Sequence, residues 1–335
     1  ARYANQEFFT EAQRAELDQE RAKLLGRDRR AERGTIEDVA GAYNAVFNNP
    51  KKTGTRTSLI VDPPNGRLPA TTPEFQKIAA ADRAFRLALI QSTDACKSGT
   101  RACAGGKYDP EISPRFAEQP PRYNTAAMNR ADGPEDRPLP DRCLSNNGGT
   151  LPAFGSNFGG IFTRIVQTPG GITMYYDIGQ GQGFQRNIGM NRPHLPAIFR
   201  QWQGDTIGHW EGNTLVVDVT NFTPKMDFRG SRENLHLVER WTRTGPTTIE
   251  FSITMEDPTV WTRSWTVQQT FIKQSDEGNK IYYEPRCYEG NYALPAILLG
   301  AREQERAFAE GRGSDPRAIT APQGEENDEV NPLAQ

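Results

Sequence analysis

The sequence lacks any apolar run of the roughly 18 residues that a membrane-spanning helix requires. It therefore predicts a chain that is peripheral to a membrane rather than one that spans it. Lysine and arginine number 40 against 42 acidic residues and are spread along the chain, without the basic stripe that neutralises a phosphate backbone. Nucleic acid is accordingly not an expected partner.

Histidine is also scarce, and the common catalytic motifs are missing. The spacing of His194, His209 and His236 matches neither a zinc site nor a facial triad, so we expect no metal. Gly179–Gly183 follows a strand pattern but lacks the GxGxxG spacing and the helix of a nucleotide-binding loop. No serine lies in the GxSxG elbow of a hydrolase. The sequence predicts no cofactor.

The four cysteines, Cys96, Cys103, Cys143 and Cys287, form no CxxC pair. An even number at these spacings favours disulfides over a redox or zinc pair, with Cys96–Cys103 closing a short local loop. Cys143–Cys287 would then tie the start of the β region to its last strand. Persistent disulfides predict a periplasmic or secreted protein, whereas four buried thiols in a cytosolic protein are the alternative.

The chain begins at Ala1 without a methionine. This start is expected after removal of a secretory signal peptide, although a trimmed fragment would begin in the same way. Helical periodicity and capping signals predict helices over Asn5–Leu25, Thr35–Phe47 and Thr72–Ile90. The expected regions are a helical N-terminal arm (1–95), an irregular wrapping segment (96–160), a β domain (161–292), and a C-terminal helix with a polar tail (293–335).

Short segments of alternating apolar and polar residues fill the β domain, from Ile161 to a last strand at Ile281–Arg286. Pro169–Gly171 and Gly212-Asn213 are hairpin signals between such segments. Strands in this meander order predict an antiparallel sheet that curls into a closed or nearly closed, calycin-like β-barrel. A two-sheet sandwich is the runner-up. With the helical arm, the expected fold class is mainly β within α+β.

The mouth of such a barrel could hold a small ligand. The polar residues that could act there are His236, Arg240, Tyr288 and Glu289. The aromatic residues that could form a ligand-binding wall are Trp210, Trp241, Trp261 and Trp265. Each set has a structural alternative, because His236 could be a hydrogen-bonded core or surface residue and the tryptophans could pack in the core.

Four stretches of the chain resemble a family of exported bacterial proteins that has no assigned reaction. They are LIVDPPNGR (59–67), GHWEGNTLVV (208–217), LHLVER (235–240) and CYEGNY (287–292). The resemblance runs from about Asp38 to Glu303 and implies an exported protein. Members of that family carry one histidine after the Pro-Gly hairpin and another directly after the last cysteine. Here Asp177–Gln182 contains no histidine and Tyr288 takes the second position, which argues against an enzyme.

These observations favour a non-catalytic interaction protein. We expect an extrinsic periplasmic subunit that clamps a larger membrane-associated assembly, for example a respiratory or photosynthetic one. Its protein contacts would be the polar tails and the segment 96–151, which have too few apolar residues to order by themselves. The alternative is a small-ligand carrier, or an enzyme of hydrolase, lyase or isomerase type, that uses the barrel mouth.

Overall fold

The computed structural model of the protein describes residues 2–3, 6–25, 53–139, 141–142, 144, 151, 162–177, 184–274 and 292–319. The helices within these ranges are α1 (Glu11–Leu25), α2 (Pro73–Ala88), α3 (Asp94–Lys97) and α4 (Ala293–Ala309). The strands are β1 (Ile60–Asp62), β2 (Phe162–Thr168), β3 (Gly171–Asp177), β4 (Phe184–Met190), β5 (Asp205–Glu211), β6 (Thr214–Thr220), β7 (His236–Arg243), β8 (Thr248–Glu256) and β9 (Trp265–Ile272). The predicted helix Thr35–Phe47, the predicted strand Ile281–Arg286 and the site residues Tyr288 and Glu289 lie outside the described residues.

Helix α2 confirms its prediction to within two residues at either end. The Thr72 side chain accepts a hydrogen bond from the Phe75 backbone N–H at 3.2 Å, and Pro73 occupies the first turn. Helix α1 begins later than predicted. Phe8 forms a β-bridge with Arg56 instead, so residues 8–10 are extended rather than helical.

The described strands form one sheet in the order β1-β9-β8-β7-β6-β5-β4-β3-β2. The predicted β-rich antiparallel architecture is confirmed, with one exception: β4 and β5 are parallel through Gly189↔Ile207 and Met190↔Gly208. The predicted closure is wrong, because the sheet is a curled half-barrel that stays open. A parallel step breaks the meander, and β1 from the N-terminal arm occupies the edge beside β9 that β2 would need for closure.

The inner face of the curled sheet carries the hydrophobic core. Along β7, Leu237 and Trp241 point inward while His236 and Arg240 point outward, as the period of two requires. Each large apolar side chain that becomes fully buried contributes roughly 1.5–3 kcal/mol. The strand residues buried in this core include Met174, Tyr176, Ile188, Val217, Val219, Phe251, Ile253, Met255, Trp265 and Val267.

Cys96 and Cys103 form a disulfide, so the local part of the predicted pairing is confirmed. Cys143 and Cys287 lie outside the described residues, and their pairing stays a prediction. The argument from closure no longer supports that pairing, because β2 and β9 lie at opposite ends of the open sheet apart from β1. None of the described helices is long and apolar enough to cross a bilayer.

Arginine side chains hold the irregular segment in place by binding backbone carbonyl groups. Arg130 Nη1 donates to Phe116 O at 3.0 Å and to Glu118 O at 2.8 Å. From helix α4, Arg302 Nη2 donates to Ala131 O at 2.7 Å. The part of the segment that the structure describes is thus ordered by charged side chains on carbonyls rather than by a core of strands.

Candidate functional site

The candidate site is built on the connection between β4 and β5, residues 191–204, here called the crossover loop. Parallel strands cannot be joined by a tight hairpin, so this connection must travel back along the sheet. It carries three apolar side chains at its tip: Leu195, Ile198 and Phe199. Their exposed fractions are 41%, 83% and 57%. A loop that presents apolar residues to water in this way is a candidate for recognition.

His194 pins the base of the crossover loop to the outer face of the sheet. Its Nδ1 lies 2.9 Å from Asp205 Oδ2 on β5, and its Nε2 lies 2.8 Å from Asp218 Oδ1 on β6. Ionised carboxylates only accept, so the ring makes both hydrogen bonds as a donor only when it carries two protons. The buried Asp205 also accepts from Arg192 Nη2 at 2.6 Å and from the Leu195 backbone N–H at 2.8 Å.

Asp218 links this anchor to a second histidine. Its Oδ2 lies 3.0 Å from His236 Nε2, while His236 Nδ1 lies 3.7 Å from Glu256 Oε2. The hydrogen bond to Asp218 raises the pKa of His236 above its ordinary value. Burial by itself would raise the pKa of Asp218, but the hydrogen bonds from His236 and His194 outweigh it and leave that pKa lowered.

A smaller cluster lies at the far end of the same outer face. Glu211 Oε1 is 3.2 Å from His209 Nε2, and Glu211 Oε2 accepts from Arg240 Nη2 at 2.6 Å. Hydrogen bonds from Arg240 and then His209 lower the pKa of Glu211. The three side chains are exposed, and solvent screens ion pairs of this kind so that they contribute little to stability. All three histidines of the chain therefore lie on the face opposite to the core.

The structure places the described half of the predicted polar set on this outer face. His236 bonds Asp218, whereas Arg240 bonds Glu211, so the two do not share a carboxylate. Neither side chain lines the inner face, where the predicted ligand mouth would lie. The other two members of the set fall outside the described residues.

Three of the four predicted wall tryptophans are packed in the core. Trp241 lies 4.2 Å, centroid to centroid, from Phe251, and Trp261 meets Trp265 edge-on at 5.5 Å. Trp210 is half exposed near the β5–β6 hairpin. Most of these tryptophans therefore pack in the core and do not form a continuous ligand-binding wall.

Sequence reasoning missed a buried ion pair on the inner face. Arg186 on β4 donates from Nη1 to Glu239 Oε1 on β7 at 2.9 Å and from Nη2 to Glu239 Oε2. Trp241 Nε1 adds a third hydrogen bond to Glu239 at 2.9 Å. Burial raises the pKa of the neighbouring Tyr176 hydroxyl. Since β5 and β6 lie between the two strands, the pair bridges the inner face of the half-barrel.

A groove of about 590 Å³ lies away from this inner face, between α2, residues 120–126 and the turn before β7. Two of the four arginines that line the groove form ion pairs within it. Arg122 Nη2 lies 2.5 Å from Asp82 Oδ2, and Arg232 Nη2 lies 3.1 Å from Asp227 Oδ2. Arg83 and Arg86 also line the groove, so its four arginines outnumber its two aspartates.

Among the residues that the structure describes, no group of three or more histidine, cysteine or acidic side chains could hold a metal ion. Comparison with family models, curated proteins and solved structures finds no match for this chain. Two features of the described residues are therefore candidates for function: the crossover loop with its histidine–carboxylate anchor, and the exposed apolar residues of helix α4.

The pH dependence of stability tests the anchor. A raised pKa for His236 stabilises the fold fully below the ordinary value of about 6.5, and that stability is lost as pH rises through the folded-state pKa. The lowered pKa of Asp218 stabilises the folded protein above about pH 3.9. This stabilisation is lost as the pH falls through the folded-state pKa of Asp218. The pair should therefore stabilise most between about pH 4 and 6.5.

We expect His236→Gln to flatten the loss of stability between mildly acidic and alkaline pH. The effect should be no more than about 1 kcal/mol, because the ring is partly exposed and solvent screens the pair. Urea unfolding across this pH range measures it. His209→Gln, on the exposed cluster, is the control and should keep the parent profile. An unchanged profile in His236→Gln would show that the anchor does not titrate as described.

Proposed function

We propose that this protein is an extracytoplasmic, non-catalytic interaction protein, a peripheral subunit that docks on a larger membrane-associated assembly. The observation that carries the proposal is helix α4 (Ala293–Ala309), in which no residue is buried. Its first half is apolar and its second half is charged. Most of the stability of a helix in a protein comes from packing its apolar face, so such a helix normally packs that face against something.

The apolar half of α4 is only partly covered, because Leu294, Ile297 and Leu298 are half-buried while other apolar residues face water. Leu299 is 65% exposed, and Tyr292 at the start of the helix is exposed as well. One turn later, Arg302 donates to the backbone carbonyls of Ala131 and Asp132 at 2.7 and 3.4 Å. The charged half thus fixes the helix to the irregular segment, while the apolar turn remains available to a partner.

Two further features support the proposal. The Cys96–Cys103 disulfide fits an oxidising compartment, such as the periplasm or the cell exterior. The inner face of the half-barrel carries core side chains and the buried Arg186–Glu239 pair, which leaves little room there for a carried ligand. Outward-facing surfaces are then the parts of the described chain best suited to binding.

The second candidate is acid–base catalysis or ligand carriage. The specific observation in its favour is that Asp218 bridges two partly exposed imidazoles, His194 and His236, an arrangement able to move a proton. Catalysis would replace docking as the leading proposal if Asp218→Asn abolished a measurable enzymatic turnover that Leu299→Asp on helix α4 retains.

A docking variant at helix α4 tests the leading proposal. The tagged protein, produced at native level, is extracted from membranes in mild detergent and sized under native conditions. We expect Leu299→Asp to reduce the fraction in the large particle about tenfold or more, because a buried interface anchor would become a charge. Ile272→Asp is the matched control, since Ile272 is 72% exposed on β9, away from the helix.

The control should stay in the large particle as the parent does. Thermal melting of both variants should match the parent, because both positions are exposed. A parent protein that runs as a free monomer would overturn the proposal, and so would equal loss in both variants.

A further inference from the structure

We propose that the tip of the crossover loop, residues 195–199, docks in the headgroup region of an anionic lipid bilayer. The inference rests on the proposed peripheral role and deepens it by naming a second contact and its chemistry. Five successive residues at the tip, Leu-Pro-Ala-Ile-Phe, carry no polar side chain. Ile198 and Phe199, at 83% and 57% exposure, present the largest apolar groups of the loop to water.

The tip is held out from the sheet rather than lying on it. Within the tip, the Phe199 backbone N–H donates to Pro196 O at 2.9 Å, which closes a turn. On one side, His194 and its carboxylates fix the loop, and Asn221 Nδ2 donates to Leu195 O at 2.8 Å. On the other side, the Gln201 N–H donates to Asn221 O at 2.9 Å. Both ends being fastened, the exposed apolar residues do not fold back onto the core.

Arg200 supplies a positive charge directly beside the tip. Residues 191–204 contain Arg192, Arg200 and His194 but no acidic residue. Arg200 Nη1 donates to the backbone oxygen of Glu233 at 2.8 Å, so its charge is not neutralised by that contact. Arg192 and His194 are bound to the buried Asp205, so Arg200 is the cation of this loop that an anionic interface would meet. Apolar side chains flanked by arginine are the composition that binds anionic membrane interfaces.

A lipid surface fits this tip better than a protein surface does. The tip is a short turn of five residues, and a protein partner would need a matching concave pocket to bury it. A bilayer interface needs no such pocket, because lipid tails close around an apolar group while arginine reaches the phosphates. Together with helix α4, the loop gives the scaffold one contact for a protein and one for the membrane surface.

Vesicle flotation of the full-length, oxidised protein tests the inference. We expect the parent to float with vesicles of phosphatidylcholine and phosphatidylglycerol, and less with phosphatidylcholine alone. Ile198→Ser combined with Phe199→Ser should weaken binding by about tenfold or more, because two apolar side chains no longer enter the interface. Arg200→Gln should weaken binding to the anionic vesicles by about fivefold.

Ile272→Ser is the matched control, as it removes an equally exposed apolar side chain from β9 and should bind like the parent. Thermal melting verifies that each variant folds. Absence of parent binding to anionic vesicles would overturn the inference, as would equal binding by the double variant. If the double variant loses the native assembly but keeps lipid binding, the tip contacts a protein and the inference is wrong.

The two proposals fail separately. If the parent does not bind vesicles but Leu299→Asp still releases it from its assembly, the proposed function stands and the lipid contact is wrong. If the parent binds vesicles through the tip but is a monomer after extraction, the lipid contact stands and the proposed function is wrong.

Discussion

Replacing Glu239 by glutamine should lower the free energy of unfolding by about 3–5 kcal/mol. The substitution leaves the Arg186 guanidinium, only 2% exposed, inside the core without its counter-charge. The amide keeps the shape of the carboxylate, so the loss reports charge rather than a cavity. Urea unfolding, with the slope of the transition checked against the parent, measures the difference.

Two companion variants identify the cause. Replacing both partners, Arg186→Met with Glu239→Leu, should recover most of the stability, because no buried charge remains. Glu211→Gln removes the carboxylate that binds Arg240 on the exposed face and should change the free energy of unfolding little, because solvent screens that pair. If Glu239→Gln lowers the free energy of unfolding no more than Glu211→Gln does, the buried Arg186–Glu239 pair does not stabilise the fold as expected.

Gly204→Ala should destabilise the protein by about 3 kcal/mol. Gly204 has a φ of +68°, and a Cβ built there would lie 2.6 Å from Thr220 O and 2.7 Å from Val219 Cγ1. The backbone oxygen belongs to a strand and cannot move aside cheaply. Because Gly204 immediately precedes Asp205, the strain should also loosen the anchor of the crossover loop.

Gly212→Ala separates the two causes of this loss. Gly212 has a similar φ of +61°, but nothing lies within 4 Å of a Cβ built there. Gly212→Ala should lower the free energy of unfolding by only about 1 kcal/mol, because it introduces left-handed backbone strain without a steric clash. Chemical denaturation of both variants gives the comparison. Equal costs would mean that the close approach to Thr220 is relaxed in the folded protein.

Features encoded by neighbouring residues could be predicted from the sequence. The cap at Thr72 and the Gly212-Asn213 hairpin depend on residues within a few positions, and both are present. The Cys96–Cys103 disulfide has the same local character. Turn and cap preferences depend on a few consecutive residues, so these elements could be predicted from the sequence.

Strand β4 and the open sheet were not predictable in the same way. Arg186 and Asn187 interrupt the apolar alternation of β4, because the inward Arg186 is balanced by Glu239, a residue more than fifty positions away. The pairing of β1 with β9 joins residues about two hundred positions apart, such as Ile60 and Val267. No local pattern encodes either contact, so the meander appeared to close.

The candidate site shows the same division. Alternation along β7 correctly grouped His236 with Arg240, but it did not say which face was buried. The signal was present in Leu237 and Trp241, two large apolar residues of the opposite parity, which mark the inner face. The meeting of His194 with Asp218 depends on the path of the crossover loop and could not be predicted. The resemblance to a family of exported proteins stays a prediction.

The most direct measurement is site-specific photocrosslinking in native membranes, with a benzophenone amino acid placed at position 299 or at position 272. Both positions are exposed and apolar, but only Leu299 lies on the apolar half of helix α4. Docking predicts one discrete adduct to a membrane-associated partner from position 299 and none from position 272. No adduct at 299, or the same weak adducts at both positions, would contradict the proposal that this protein is a docking subunit.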